Sequence, residues 1–200
     1  MMNKIILSIA LISVVFISQA QVVKLAGPRV GATIVTAGSA ADFIQNDLMM
    51  PGDDGWGNSS TALITQYGWQ LESRFIESED ISGLVEWVFL VGGMERGLFL
   101  PSVSSLFGLR SKSGFEGALG PNLSLTGVGM VLALGYTFTT GNLNVPINLS
   151  FVPGKSKTYE EGGGWDWDAA TGTEIYVPAS STDYTTGSRI SLTLGFNLAQ

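Results

Sequence analysis

From Val128 to Phe151 the chain alternates between apolar and small or amide-bearing residues. Val128, Met130, Leu132, Leu134, Tyr136 and Phe138 fall on one side, and Gly129, Val131, Ala133, Gly135 and Thr137 on the other. After Thr139-Thr140-Gly141-Asn142 the pattern resumes, with Val145, Ile147, Leu149 and Phe151 set against Asn144, Pro146, Asn148 and Ser150. A period of two with a Gly-Asn break predicts a β-hairpin with two chemically different faces. Recurring glycines and the absence of a 3.6-residue period argue against a helix.

The same pattern recurs along the chain, giving eight segments in all. The first is expected at Arg29–Thr36, with Val30, Ala32 and Ile34 on one face. The second covers about Leu63–Ile76, where Tyr67, Trp69, Leu71 and Phe75 alternate with Gln66, Gln70, Glu72 and Arg74. The third (Gly83–Val91) sets Val85, Trp87 and Phe89 opposite Glu86, and the fourth (Ser102–Arg110) sets Phe107 and Leu109 opposite Ser104 and Arg110. The fifth (Phe115–Leu123) opposes Leu119 to Glu116 and Asn122. The hairpin above supplies the sixth and seventh. The eighth (Ser188–Leu198) alternates Ile190, Leu192, Leu194 and Phe196 with Arg189, Ser191, Thr193, Gly195 and Asn197. Most of these reach the roughly 9–11 residues that a tilted membrane strand requires, and the first falls short.

Mean hydropathy is +0.30, yet the charge-poor stretch Gly117–Gly154 is broken as a helix by Pro121, Gly127, Gly135, Gly141 and Pro146. A hydrophobic chain without spanning helices enters a bilayer by closing its sheet, so that every backbone polar group is paired. The expected fold is therefore all-β, an eight-stranded antiparallel up-and-down transmembrane β-barrel. Residues 1–20 have a basic start at Lys4, an apolar run from Ile5 to Ile17, and Ser18-Gln19-Ala20. They are expected to be a signal peptide cleaved before Gln21, leaving one barrel domain over residues 21–200.

Charge refines the topology. Without Lys4, nine of the ten basic residues face seventeen acidic ones. The excess lies in two long connections, 37–62 and 153–187, read as acidic loops; the first contains Asp42, Asp47, Asp53 and Asp54. The connections after the second, fourth and sixth segments are short. In an even barrel with both termini periplasmic, both acidic loops then fall on the outer side. The other charges balance. Arg29, Glu72, Arg74, Glu86, Arg110, Glu116 and Arg189 occupy the face opposite the apolar one. An eight-stranded barrel has an interior that side chains just fill, so these groups are expected to form a mutually neutralising network there.

With these features the chain resembles the small eight-stranded outer-membrane β-barrels of gram-negative bacteria, the OmpA/OmpX-like class. The resemblance rests on the leader, the eight alternating segments, the outward aromatics Tyr67, Trp69, Trp87, Tyr136 and Phe196, and the strand-like ending RISLTLGFNLAQ. It implies residence in the outer membrane, contact with its lipid, and insertion by the outer-membrane assembly machinery, guided by the last strand. The chain departs from that pattern at its end, where Asn197-Leu198-Ala199-Gln200 follow Phe196. Pro146 is a second irregularity, to be accommodated by a bulge or by a place near the rim.

The chain has no histidine and no cysteine, which removes Ser–His–Asp, Cys–His, and histidine- or thiolate-ligated metal chemistry. No enzymatic activity and no cofactor are expected, and the acidic balance opposes nucleic-acid binding. In the second long connection, Trp165, Asp166, Trp167, Asp168 and Glu174 invite a calcium reading, but they lack the EF-hand spacing, which favours a solvated acidic loop. Together with Trp56 they are candidate contacts for a surface ligand. The expected role is thus structural or surface-interactive, as a monomer. Alternation alone leaves the inside face undetermined. A soluble periplasmic lipocalin-like carrier of an apolar ligand would turn Arg29, Arg74, Arg110 and Arg189 outward and build its cavity from Trp69, Trp87, Leu132 and Ile147. A narrow channel is a third reading.

Overall fold

The structure, a computed structural model, describes residues 24–46 and 61–199. Residues 1–20, expected from the sequence to be a signal peptide, and Trp56 lie outside the described residues.

Seven long strands follow the alternation: β1 (Lys24–Val35), β2 (Ala62–Glu77), β3 (Ile81–Gly92), β4 (Leu100–Ser111), β5 (Phe115–Ser124), β6 (Gly127–Thr140) and β7 (Leu143–Val152). Each pairs antiparallel with the next. The eighth barrel strand is interrupted, as β12 (Arg189–Gly195) and β13 (Asn197–Ala199), and both pieces pair with β7 on one side and β1 on the other. The sheet is thereby a closed eight-stranded antiparallel barrel.

Two prolines account for the interruption. Pro146 interrupts the β7 ladder where Gly195 would pair, and Pro28 interrupts the β1 ladder where Phe196 would pair. Neither has an N–H to give to the ladder. Pairing resumes in the same register beyond the gap, and Phe196 N–H still reaches Pro28 O at 3.2 Å. Pro146 is fully buried on the inner face three ladder pairs from the β6–β7 turn, so the position near a rim is observed and the bulge is not.

β1 begins at Lys24, five residues before the expected start. Gly27-Pro28 reads as a turn signal; here Pro28 points outward and the strand runs through it. The two long connections are not simple loops. The first contains helix α1 (Ser39–Asn46). The second contains β8 (Ser156–Glu161), β9 (Gly164–Asp168), β10 (Thr173–Val177) and β11 (Ser180–Thr185), with β8 paired to β11 and β9 to β10. Both connections leave the same end of the barrel, where Thr36 N–H bonds Ser188 O at 2.9 Å. The short β2–β3, β4–β5 and β6–β7 turns lie at the other end with Lys24 and Ala199.

The faces separate by chemistry. Leu132, Leu134, Phe115, Leu119 and Trp69 are 53%, 70%, 65%, 54% and 48% exposed on the outer wall. Arg29, Gln70, Glu72 and Glu86 are buried inside it. Two small apolar clusters break the polar interior. One, mid-barrel, is Leu106, Val131 and Ala133; the other packs Ala40, Ala41 and Ile44 of α1 against Val35, Ala62 and Ile64.

Candidate functional site

The interior has two levels. At the short-turn end, β2, β3, β4 and β5 turn charged side chains inward, because Glu72, Glu86, Arg110 and Glu116 all sit on the inner phase of the pleat. Register places Glu72 opposite Glu86 and Arg110 opposite Glu116. Arg110 donates from Nη1 and Nη2 to the two oxygens of Glu72, each at 2.7 Å, and from Nε to Glu116 Oε2 at 2.8 Å. Its Nη2 also stands 3.9 Å from Glu86 Oε1. A bidentate fork on one carboxylate and a third bond to another use the planar geometry that distinguishes Arg from Lys. Thr137 Oγ1 donates to Glu116 at 3.3 Å.

Arg74, half-buried, stands 3.6 Å from Glu72 and 3.7 Å from Glu77. Arg29 donates to Pro146 O at 3.2 Å and to Gln70 Oε1. Three arginines thus accompany three glutamates. Two glycines make room for them: a Cβ at Gly195 would fall on the Arg29 guanidinium, and one at Gly135 would come within 2.8 Å of Glu116 Oε1.

Toward the loop end the charge thins. Arg189 donates to Asn122 Oδ1 at 2.8 Å, and Asn122 donates to Ser104 Oγ at 3.0 Å. Of the seven inner charges expected from sequence, Arg189 stands apart from the cluster. Above it a cavity of about 430 Å³ opens beneath α1, walled by Val35, Phe43, Ile44, Ile64, Leu100 and Leu125. A narrower space of about 70 Å³ continues downward, and Thr33, Gln66, Ser102 and Arg189 line both. The arrangement drawn for a soluble carrier, with arginines outward and a cavity from Trp69, Trp87, Leu132 and Ile147, is not the one found. Those four side chains are exposed on the outer wall, and the cavity is built from different residues. Sequence reasoning missed it because α1 lay hidden in an assumed loop. The spacing Ala40, Ala41, Ile44 was the available signal. Asp42, counted in the acidic charge of the first long connection, is buried on α1.

The other candidate contacts divide between the two faces of a hairpin. Register puts Trp165 opposite Tyr176 and Trp167 opposite Glu174, so these share one face. Asp166 and Asp168 share the other. Glu174 therefore cannot join the two aspartates on one cation, and the described residues contain no group of three or more acids that could hold a metal ion. Trp165 meets Tyr176 edge-on at 5.5 Å, while Trp165 and Trp167 remain 72% and 63% exposed. Hydrogen bonds from Thr171 Oγ1 and Ala170 N–H hold the Asp168 carboxyl below its usual pKa.

Fold and interior together define a pocket-bearing closed β-barrel with an internal polar and ionic network. Comparison with protein-family models, with curated proteins and with solved structures found no match to the chain.

Proposed function

We propose that the protein is a non-enzymatic outer-membrane β-barrel of a gram-negative bacterium, with its apolar wall in lipid and its pocket facing outward. The observation that carries this is the wall itself. On β6 the exposed apolar positions run from Val128 to Phe138. That is roughly 34 Å of strand, or about 26 Å along the axis at a tilt of about 40°. A lipid-facing band is about 25 Å tall. Monomeric proteins in water rarely expose contiguous apolar patches above a few hundred Å². Near the short-turn end Phe115, Tyr136 and Phe138 stack edge to face at 4.9 and 4.7 Å, as suits an aromatic girdle.

In this orientation both termini are periplasmic, α1 and the β8–β11 hairpins face the exterior, and the assembly machinery inserts a monomer. The lack of histidine and cysteine removes the histidine- and thiolate-dependent mechanisms. Single cysteines at Leu132 and Ala133, labelled in liposomes with a lipid-soluble maleimide, test the proposal. Leu132 should react and Ala133 should not; equal labelling refutes it.

A second reading, a barrel that carries an apolar ligand, is favoured by the cavity beneath α1. In its periplasmic form it requires the chain after residue 20 to stay folded and monodisperse in buffer without detergent. Finding this would replace the membrane proposal. A narrow channel is opposed by the filled base.

A further inference from the structure

We infer that the cavity beneath α1 binds a single-chain amphiphile through its carboxylate, with Arg189 as the group that receives the head. This deepens the carrier reading and holds whether the barrel stands in lipid or in water.

The cavity's size is that of a small-molecule site, within the usual range of about 300–1,000 Å³. Its upper wall is apolar, supplied by Val35, Ile44, Ile64 and Leu100. Lower down, where it meets the narrower space, the lining turns polar and contains Arg189. A guanidinium carries five N–H donors. Among the described residues one of these is used, on Asn122, and no carboxylate stands within ion-pair distance. Arg74 and Arg110 contrast with it, since they ion-pair with glutamates at the base; Arg29, also without a carboxylate at ion-pair distance, gives its donors to Pro146 O and Gln70 Oε1. A half-buried cation without a counterion is costly, and an anion in the cavity would remove that cost while accepting the free donors.

Asn122 is fixed by its bond to Ser104 and so orients the guanidinium. One fork with one charge matches a monoanionic carboxylate. A phosphate dianion would need a second cation beside Arg189, but the other basic lining residue, Lys157, is exposed and lines the wider cavity without reaching the narrower space where Arg189 stands. Head on Arg189 and chain toward α1 is the pose in which polar meets polar and apolar meets apolar.

The test uses the full chain in nonionic detergent, with carboxyl-13C dodecanoate and 1-13C dodecanol as probes. A bound resonance of the labelled carbon, distinct from the micellar one and saturating at a single ligand per chain, is expected for dodecanoate and not for dodecanol. Arg189→Gln should weaken dodecanoate by about tenfold or more. Ser102→Phe, which narrows the throat between the two spaces, should abolish the bound signal while heat-modifiable gel migration reports an intact barrel. The comparison of the two amphiphiles on the unaltered protein needs no variant. Equal binding of dodecanol, or tighter binding of dodecyl phosphate, overturns the carboxylate assignment and leaves the carrier reading standing. No bound signal from any amphiphile overturns both.

Discussion

Arg110 on β4 grips both oxygens of Glu72 on β2, at 2.7 Å each, across β3, which lies between their strands. The fork therefore ties together strands that share no ladder. With Glu116 on Arg110 Nε, a single guanidinium braces the short-turn end from β2 to β5.

Removing that guanidinium should be worse than removing any one of its partners. Arg110→Met leaves Glu72, Glu86 and Glu116 buried together, and stripping one partner from a buried network costs about 3–5 kcal/mol. Glu72→Gln keeps Arg110 on Glu116 and should cost clearly less. Urea titrations in detergent, read by the fraction of heat-modifiable barrel, give the order. Equal losses would mean that the cluster is held by something other than Arg110.

Gly195 and Arg29 make a second testable pair. A side chain at Gly195 would lie on the guanidinium, with Cβ 2.6 Å from Cζ and 2.8 Å from Cδ. Gly195→Val should destabilise by about 1–3 kcal/mol through overpacking. In an Arg29→Met background the same substitution should cost less, because the two sites are in contact and their effects do not add. Strict additivity in the four-way cycle would dissociate the glycine from the arginine.

The outer wall was the most legible part of the fold. Leu132, Leu134, Trp69 and Trp87 were grouped on one face by period alone, because in a barrel each strand repeats one inside–outside rule; their exposure in the structure is what makes that face the outer one. The inner charges were legible for the same reason, since Glu72, Glu86, Arg110 and Glu116 fall on the opposite phase. What period could not show was which of them meet, as that depends on register between strands. Nor did it distinguish the amides and hydroxyls of Gln70, Thr137 and Asn197, buried beside the charges, from ordinary polar positions. The second long connection hid its strands because segments such as Trp165-Asp166-Trp167-Asp168 are short and bury little, so their alternation carries no core face. α1 was missed because one eight-residue helix offers a single apolar stripe.

Depth along the wall gives a graded prediction. Leu132→Arg, at mid-height on β6, should cost about 2–4 kcal/mol in a bilayer, whereas Phe138→Arg near the short-turn rim should cost roughly 0–1 kcal/mol. Equilibrium unfolding from lipid vesicles measures both. In a barrel facing water, both substitutions would stay within about 0.5 kcal/mol of zero. Such a result would remove the lipid belt.

Acid should loosen the β3–β4 connection before it affects the barrel. Glu95, in the middle of the short 3-10 turn Met94–Arg96, accepts from Thr65 N–H at 2.9 Å and from Thr65 Oγ1 at 2.5 Å. The hydroxyl bond holds its pKa below the usual 4.5. A carboxyl depressed on folding contributes stability above its unfolded pKa, and that contribution is lost as pH falls through the folded value. The group is exposed, so the effect is local and screened by salt. The protection factor of the Thr65 amide should fall as acid titrates the Glu95 carboxylate in the native protein, and this fall should be absent in Glu95→Gln. An unchanged profile in the variant would show that Glu95 does not hold this turn.

The outer hairpins should be separable from the barrel. Among the described residues β8 pairs with β11 and β9 with β10, and none of the four enters the closed sheet. Their tip turns at Gly172, in left-handed backbone at φ 66°, where the Asp168 carboxylate caps Ala170 and Thr171. A site-specific protease sequence inserted after Thr171 therefore enters an exposed turn, the kind of position that tolerates insertion and cleavage. Cutting there should leave heat-modifiable migration unchanged, since strand closure uses no residue between 156 and 185. On intact cells, externally added protease should cut this site, because the proposed orientation places the hairpins outside. Cleavage confined to permeabilised cells would invert the topology and turn the cavity beneath α1 toward the periplasm.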